Sequence, residues 1–133
     1  MVTKTDKKNA KPSKAADPND LKIEARQVSP DTFVMTLDGK LVHYTCARFI
    51  EEFRALLESG GVKVVIDMGL KPMLDLQGLA VILLACKESL YNKGAVAIAN
   101  VDVCVFDLMT LARIDEEALP CYESVEKALQ SFQ

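Results

Sequence analysis

The sequence predicts an α/β domain, an open mixed β-sheet with helices packed on it, in the element order ββαβαβαβα. Three observations predict it. Two runs of alternating character, "LKIEARQV" and "TFVMTL", are separated by a tight turn. Two mostly apolar runs, "VKVVID" and "AVAIAN", flank a long helical pattern. The chain has 133 residues, half of them hydrophobic, which suits one domain with a real core.

Each element follows from its own pattern. Leu21, Ile23 and Ala25 alternate with Lys22, Glu24 and Arg26, the period of a half-buried strand. Ser29-Pro30-Asp31 is a turn, so "TFVMTL", stopped at Asp38-Gly39, returns antiparallel to the first strand. Cys46, Phe49, Ile50, Phe53, Leu56 and Leu57 then recur at helical spacing, and Ser59-Gly60-Gly61 ends that helix. "VKVVID" reads as a central strand covered on both faces. "MGLKPM" is a loop. A helix from an N-cap at Asp75 runs to about Asn92, and "AVAIAN" completes a strand–helix–strand crossover. "VDVCVFDLMTLARI" alternates at its start, yet Val103, Phe106, Met109 or Thr110, and Ile114 fit a helix, which is expected from an N-cap at Asp102. "LPCY" fits a short edge strand. "ESVEKALQSF" closes the chain as a helix with Val125, Ala128, Leu129 and Phe132 inward.

Residues 1–20 differ in kind. They hold five lysines, two prolines and three aspartates, a net +2, and no large apolar residue beyond Met1 and Val2. Such a segment buries too little surface to offset its ordering entropy, so a disordered tail before a domain at 21–133 is expected.

Composition excludes several classes. A net charge of -3 argues against a general nucleic-acid binder. Cys46, Cys86, Cys104 and Cys121 form no CxxC pair, and the lone His43 has no ligand spacing to them, so no metal site is expected. They read as reduced thiols. The longest apolar run, Leu79 to Cys86, is far below the roughly 20 residues of a spanning helix. The N-terminal lysines precede no apolar h-region. A cytoplasmic protein without membrane insertion is the expectation.

No catalytic constellation emerges, and no enzyme or cofactor is expected. Gly39-Lys40 lacks the upstream glycine of a phosphate loop, and no GxSxG elbow exists. His43 reads as a surface or capping residue. Asp67 and Asp75 flank one loop, where strand-end and N-cap roles explain them without a metal. Thr45 reads as a first-turn residue and Ser89 as a solvated helix residue. What remains is the carboxyl end of the sheet, where Asp67, the "MGLKPM" loop and the start of the Asp75 helix converge.

In this region the chain resembles the STAS domain, the fold of bacterial anti-sigma factor antagonists. That family's signature is an apolar strand ending in Asp, a short loop, then D-S-S-G-L opening a helix. In "VVIDMGLKPMLDLQGLAVILLA", Asp67 matches the strand-end Asp, Asp75 the motif Asp, and Gly78-Leu79 its Gly-Leu. "LDGKLVHYTCARFIEEF" resembles the family's G-x-L-d-x-x-T-a stretch through Gly39, Leu41 and Thr45. "YESVEKAL" is similar to its C-terminal segment. The resemblance covers roughly Leu21 to Phe132 and implies a STAS-type fold.

The resemblance also implies a function. In the family, the first Ser of D-S-S-G accepts phosphate. The unphosphorylated domain binds a switch kinase that doubles as an anti-sigma factor, and phosphorylation breaks the complex by adding charge at the contact. Leu76 holds that position here and Gln77 the next, so neither takes a phosphoryl group. Leu76 is either a helix residue folded against the loop or an exposed apolar contact.

The implied partner is an anti-sigma factor/serine kinase of the switch type. It would dock over Asp67, Met73, Asp75, Leu76, Gln77, Gly78 and Leu79, with the "VDVCVFDLM" helix alongside, on a monomer or weak homodimer. The alternative is an assembly subunit of a lipid-transport ATPase complex or a sensory scaffold. A weaker third reading is a nucleotide binder at the helix N-terminus, which predicts thermal stabilisation by nucleotide.

Overall fold

A computed structural model of the chain describes residues 17–133. Strands β1 (Leu21–Ser29) and β2 (Thr32–Leu41) form the antiparallel hairpin, with Leu21 opposite Gly39 and Gln27 opposite Phe33. Helix α1 (Cys46–Glu58), strand β3 (Lys63–Asp67), a two-residue strand β4 (Met73–Leu74) and helix α2 (Leu76–Tyr91) follow. Strand β5 (Ala95–Ala99), helix α3 (Val103–Ala112), strand β6 (Cys121–Tyr122) and helix α4 (Val125–Gln130) complete the chain.

The sheet runs β1-β2-β3-β5-β6, with β2, β3, β5 and β6 parallel. The expected mixed sheet and its helices are therefore present, with one addition. The "MGLKPM" loop ends in β4, which pairs parallel with the end of β2, Lys40 to Met73 and Leu41 to Leu74. That pairing needs β2 to run past Asp38-Gly39, where a stop was expected. Gly39 allows it by adopting φ 105°, and an added Cβ there would lie 2.0 Å from the Asp20 carbonyl oxygen.

Strand alternation divides the core into two layers. Val64 and Ile66 of β3, with Val96 and Ile98 of β5, face α1 and α2 among Phe49, Phe53, Leu79 and Ile82. Phe49 and Phe53 stack with ring centroids 6.3 Å apart. Val65, Ala97 and Ala99 face the other way, against Val125 and Ala128 of α4. Small alanines here let a short helix lie close to the sheet. Each fully buried Leu, Ile or Phe contributes on the order of 1.5–3 kcal/mol.

Three local expectations are corrected. Ser89, expected in solvent, is buried, and its hydroxyl donates to the Val62 carbonyl where the end of α2 tucks against the start of β3. In α3 the buried residues are Val105 and Met109, while Val103 and Phe106 are exposed. A helix with so few polar residues leaves its inward face undefined by pattern. Residues 18–20, expected within the tail, form a 3-10 turn, and the Tyr44 hydroxyl donates to Asp20 at 2.6 Å. The rest of the expected tail, residues 1–16, lies outside the described residues. Among the described residues, no helix is long and apolar enough to cross a membrane.

Candidate functional site

The site is built where β2, β4 and α2 meet. Beyond Leu41 the chain makes a 3-10 turn, His43–Thr45, before α1. Thr45 locks that turn: its hydroxyl accepts from the Val42 N–H at 2.9 Å and donates toward the Lys40 and Val42 carbonyls. Thr45 is fully buried, which fits a first-turn role.

Because β4 pairs with the end of β2, Asp75 arrives beside this turn. One carboxylate oxygen accepts from the Gly78 N–H at 2.8 Å, the N-cap of α2. The other accepts from the His43 N–H at 3.0 Å. The His43 ring nitrogen Nδ1 stands 3.9 Å from the same oxygen. Asp75 is thus engaged on both sides by backbone donors and pins two segments 32 residues apart. Its negative charge also occupies the place at the helix N-terminus where a phosphate would sit, which disfavours the nucleotide reading.

Cys46 adds a third tie, donating its S–H toward the Gln77 and Val42 carbonyls. Burial, and then the nearby Asp75 charge, push the Cys46 thiol upward from its usual pKa.

Leu76 opens α2 and is 47% exposed. With Gln77, His43, Leu74, Leu108 and Leu111 it lines an open hollow of about 550 Å³. Leu111, contributed by α3, is 71% exposed. A second hollow of about 300 Å³ lies alongside, lined by Lys71, Pro72, Met73, Asp102, Cys104 and Val105. The two share Leu74 and Leu108, so they form one groove with a saddle between them.

Of the residues expected at this surface, Asp75, Leu76, Gln77 and Met73 meet along the groove. Gly78 and Leu79 do not, and their assignment is corrected. Both are buried, because the first turn of α2 is pressed onto the end of β2. A Cβ on Gly78 would lie 2.1 Å from the Leu41 carbonyl oxygen, and Leu79 points into the main core. Asp67 accepts from the Gly69 N–H and the Asn100 side-chain amide, at 2.9 and 2.8 Å, tying the loop after β3 to the end of β5. It lines neither hollow.

Leu108 comes from the helix expected alongside, while His43 and Leu111 join the site without having been expected there. The signal for the two leucines was the composition of α3, a helix apolar nearly all round, which belongs in an interior or under a partner. Among the described residues, no group of three or more His, Cys, Asp and Glu side chains is placed to hold a metal ion.

A family model described as "STAS domain" matches residues 23–128. Among curated proteins none matches the sequence. Several solved structures share the fold. SpoIIAA, a Bacillus cell fate determinant, in its phosphorylated form is 15% identical with a TM-score of 0.64, over 84% of this chain and 100% of that one. An anti-sigma-factor antagonist (STAS) domain protein from Planctomyces limnophilus is 16% identical with a TM-score of 0.69, over 83% of this chain and 97% of that one. The murine Slc26a9 anion transporter is 13% identical with a TM-score of 0.63, over 80% of this chain but only 18% of the transporter.

Proposed function

The chain belongs to the STAS domain family, and we propose that within it the protein is a non-catalytic interaction regulator of the anti-sigma factor antagonist kind. Its partner is an anti-sigma factor/serine kinase of the switch type, met in the cytoplasm over the first turn of α2 and the flank of α3. One observation carries this reading. The position that opens α2 holds no hydroxyl, yet its side chain, Leu76, stands half exposed on an open apolar groove. An apolar contact is kept there and the phosphorylation switch is not. Binding is therefore constitutive or controlled elsewhere.

The test is a titration of purified wild type, Leu76→Glu and Leu76→Lys against the kinase recovered with the protein from its own cells. Leu76 lines the larger hollow, where a charge of either sign loses its hydration on docking. Both variants are expected to bind about tenfold weaker or worse. Unchanged binding by both removes this surface from the contact.

A second reading has its own support. A fixed apolar contact suits a permanent assembly, and the murine transporter carries a domain of this fold as a small part of its chain. In that reading the protein is a subunit of a lipid-transport ATPase complex or a sensory scaffold. Recovery of an ATPase and a permease in place of a kinase would establish it.

A further inference from the structure

Resting on the reading that this surface docks a partner, we infer that the occupant of the α2–α3 groove is a cationic amphipathic segment of another protein. Its apolar stripe fills the two hollows, and lysine or arginine lines its margins.

The apolar part of the argument comes from α3. Its sequence is VCVFDLMTLA, in which only Asp107 and Thr110 are polar. A helix of that composition belongs in an interior, yet Val103 and Leu111 are exposed at its two ends. The paired hollows, divided by Leu74 and Leu108, suit two large apolar side chains set along one segment.

Charge selects among a bilayer, a second copy and a different protein. Residues 102–118 hold Asp102, Asp107, Asp115, Glu116 and Glu117 against Arg113, a net -4. The whole chain carries -3 and residues 1–20 carry +2, which leaves -5 for residues 21–133. Within residues 102–118, Asp102 lines the smaller hollow and Asp107 stands on the helix that supplies Leu108 and Leu111; with Asp75 in the larger hollow and Lys71 the one Lys or Arg in either lining, the groove's margin is acidic on balance. Asp107 is exposed and forms no ion pair among the described residues. An anionic lipid surface is repelled by such a margin. A second copy would bring two acidic margins together. A segment with apolar anchors and basic flanks satisfies both features.

Two synthetic amphipathic peptides, about five turns long and sharing one leucine face, test this on the full chain. One has a lysine polar face and the other a glutamate polar face. Binding is followed by amide chemical shifts in NMR titrations. The lysine peptide is expected to bind about tenfold tighter than the glutamate peptide, and to lose that margin as salt shortens the screening length. Its shifts centre on Leu76, Leu108 and Leu111. Reversing the charge of Asp107 to lysine narrows the preference, and Leu111→Ser weakens both peptides.

Equal binding of the two peptides, or shifts centred elsewhere, overturns the inference. So does lysine-peptide binding that Leu111→Ser leaves unchanged, since that is charge attraction without a groove. Replacing the five lysines of residues 1–16 by glutamine closes the remaining route. If this raises the affinity of both peptides about tenfold, the groove's occupant is the chain's own N-terminus and a separate partner is overturned; a rise for the lysine peptide alone is the added net charge and leaves the separate partner in place. The peptide result stands apart from the kinase titration: peptides that behave as expected, with Leu76 variants that still bind the kinase, reject the kinase and keep the cationic occupant.

Discussion

Asp75 and His43 are held together by a backbone N–H of one and a side-chain oxygen of the other, 3.0 Å apart and 32 residues distant in sequence. The second Asp75 oxygen caps α2 through Gly78. One carboxylate thus sets both where α2 starts and where the turn after β2 lies against it. Asp75→Ala removes the cap, worth about 1 kcal/mol, and the tie to His43, worth about as much again. A loss of roughly 2 kcal/mol in urea unfolding is expected. Asp75→Asn keeps one acceptor oxygen and falls between the two. A loss confined to a few tenths in Asp75→Ala would show that the His43 tie contributes nothing.

Gly78 supplies the converse case. In an ordinary exposed helix, Gly→Ala stabilises by up to about 1 kcal/mol. Here the new methyl meets the Leu41 carbonyl oxygen at 2.1 Å, and that oxygen belongs to a backbone held by β4 pairing. Gly78→Ala is expected to cost about 1–3 kcal/mol through the backbone shift it forces. It should also weaken partner binding, because the same shift moves Leu76. Thermal unfolding and the kinase titration measure the two effects separately.

Much of this was legible in the sequence because the deciding signals are local. Asp75 and Asp102 announce their helices as N-caps, and both are observed as such. β3 and β5 are apolar on both faces because both faces are covered. Where the deciding contact is distant in sequence, the pattern was silent. Met73–Leu74 is too short to show a period and becomes a strand only because Lys40 and Leu41 lie beside it. Ser89 reads as polar and outward, but a carbonyl 27 residues away takes its proton. Gly78 and Leu79 belong to a motif whose first half faces outward and whose second half faces in, a division that only the packing against Leu41 reveals. The α3 helix was expected beside this surface, but which of its residues face the groove was not legible, since an almost wholly apolar helix carries no periodic clue to its outer side.

The stability–pH profile has a defined sign. Arg54 donates to Glu88 through Nε at 3.0 Å and Nη2 at 2.6 Å, joining α1 to α2. Those hydrogen bonds hold the Glu88 carboxyl below its usual pKa. A carboxyl whose folded pKa is depressed contributes stability that is present above its unfolded pKa. That contribution is lost as pH falls through the folded value. Asp31, hydrogen-bonded by Thr32 and Ser29, and Glu123, bonded by Lys127, are lowered too and add to the same slope. Stability is therefore expected to fall on acidification below about pH 4.5. Glu88→Gln should flatten that slope without abolishing it, since the other two carboxyls still titrate. Urea midpoints measured at several pH values decide this, and an unchanged slope in Glu88→Gln would assign the loss to the other two groups.

The four thiols differ enough to report on the groove. Cys86 is buried, and that burial pushes its pKa up to about 12. Cys121 is half-buried against Met109 and is pushed up to about 11 by the same cause. Cys46 is half-buried and raised as well. Cys104 alone is exposed, on α3 in the wall of the smaller hollow. Thiolate is the reacting species, so an aromatic disulfide reagent should find one fast thiol in the native protein and the other three only on unfolding. Cys104→Ser should remove the fast phase. Because Cys104 lines the groove, a bound partner or peptide should slow its modification, while a ligand elsewhere on the domain leaves the rate unchanged. Protection of Cys104 by the lysine peptide, lost in Leu111→Ser, would tie occupancy of both hollows to a single bound segment. Full reactivity in the saturated complex would confine the contact to the hollow at Leu76.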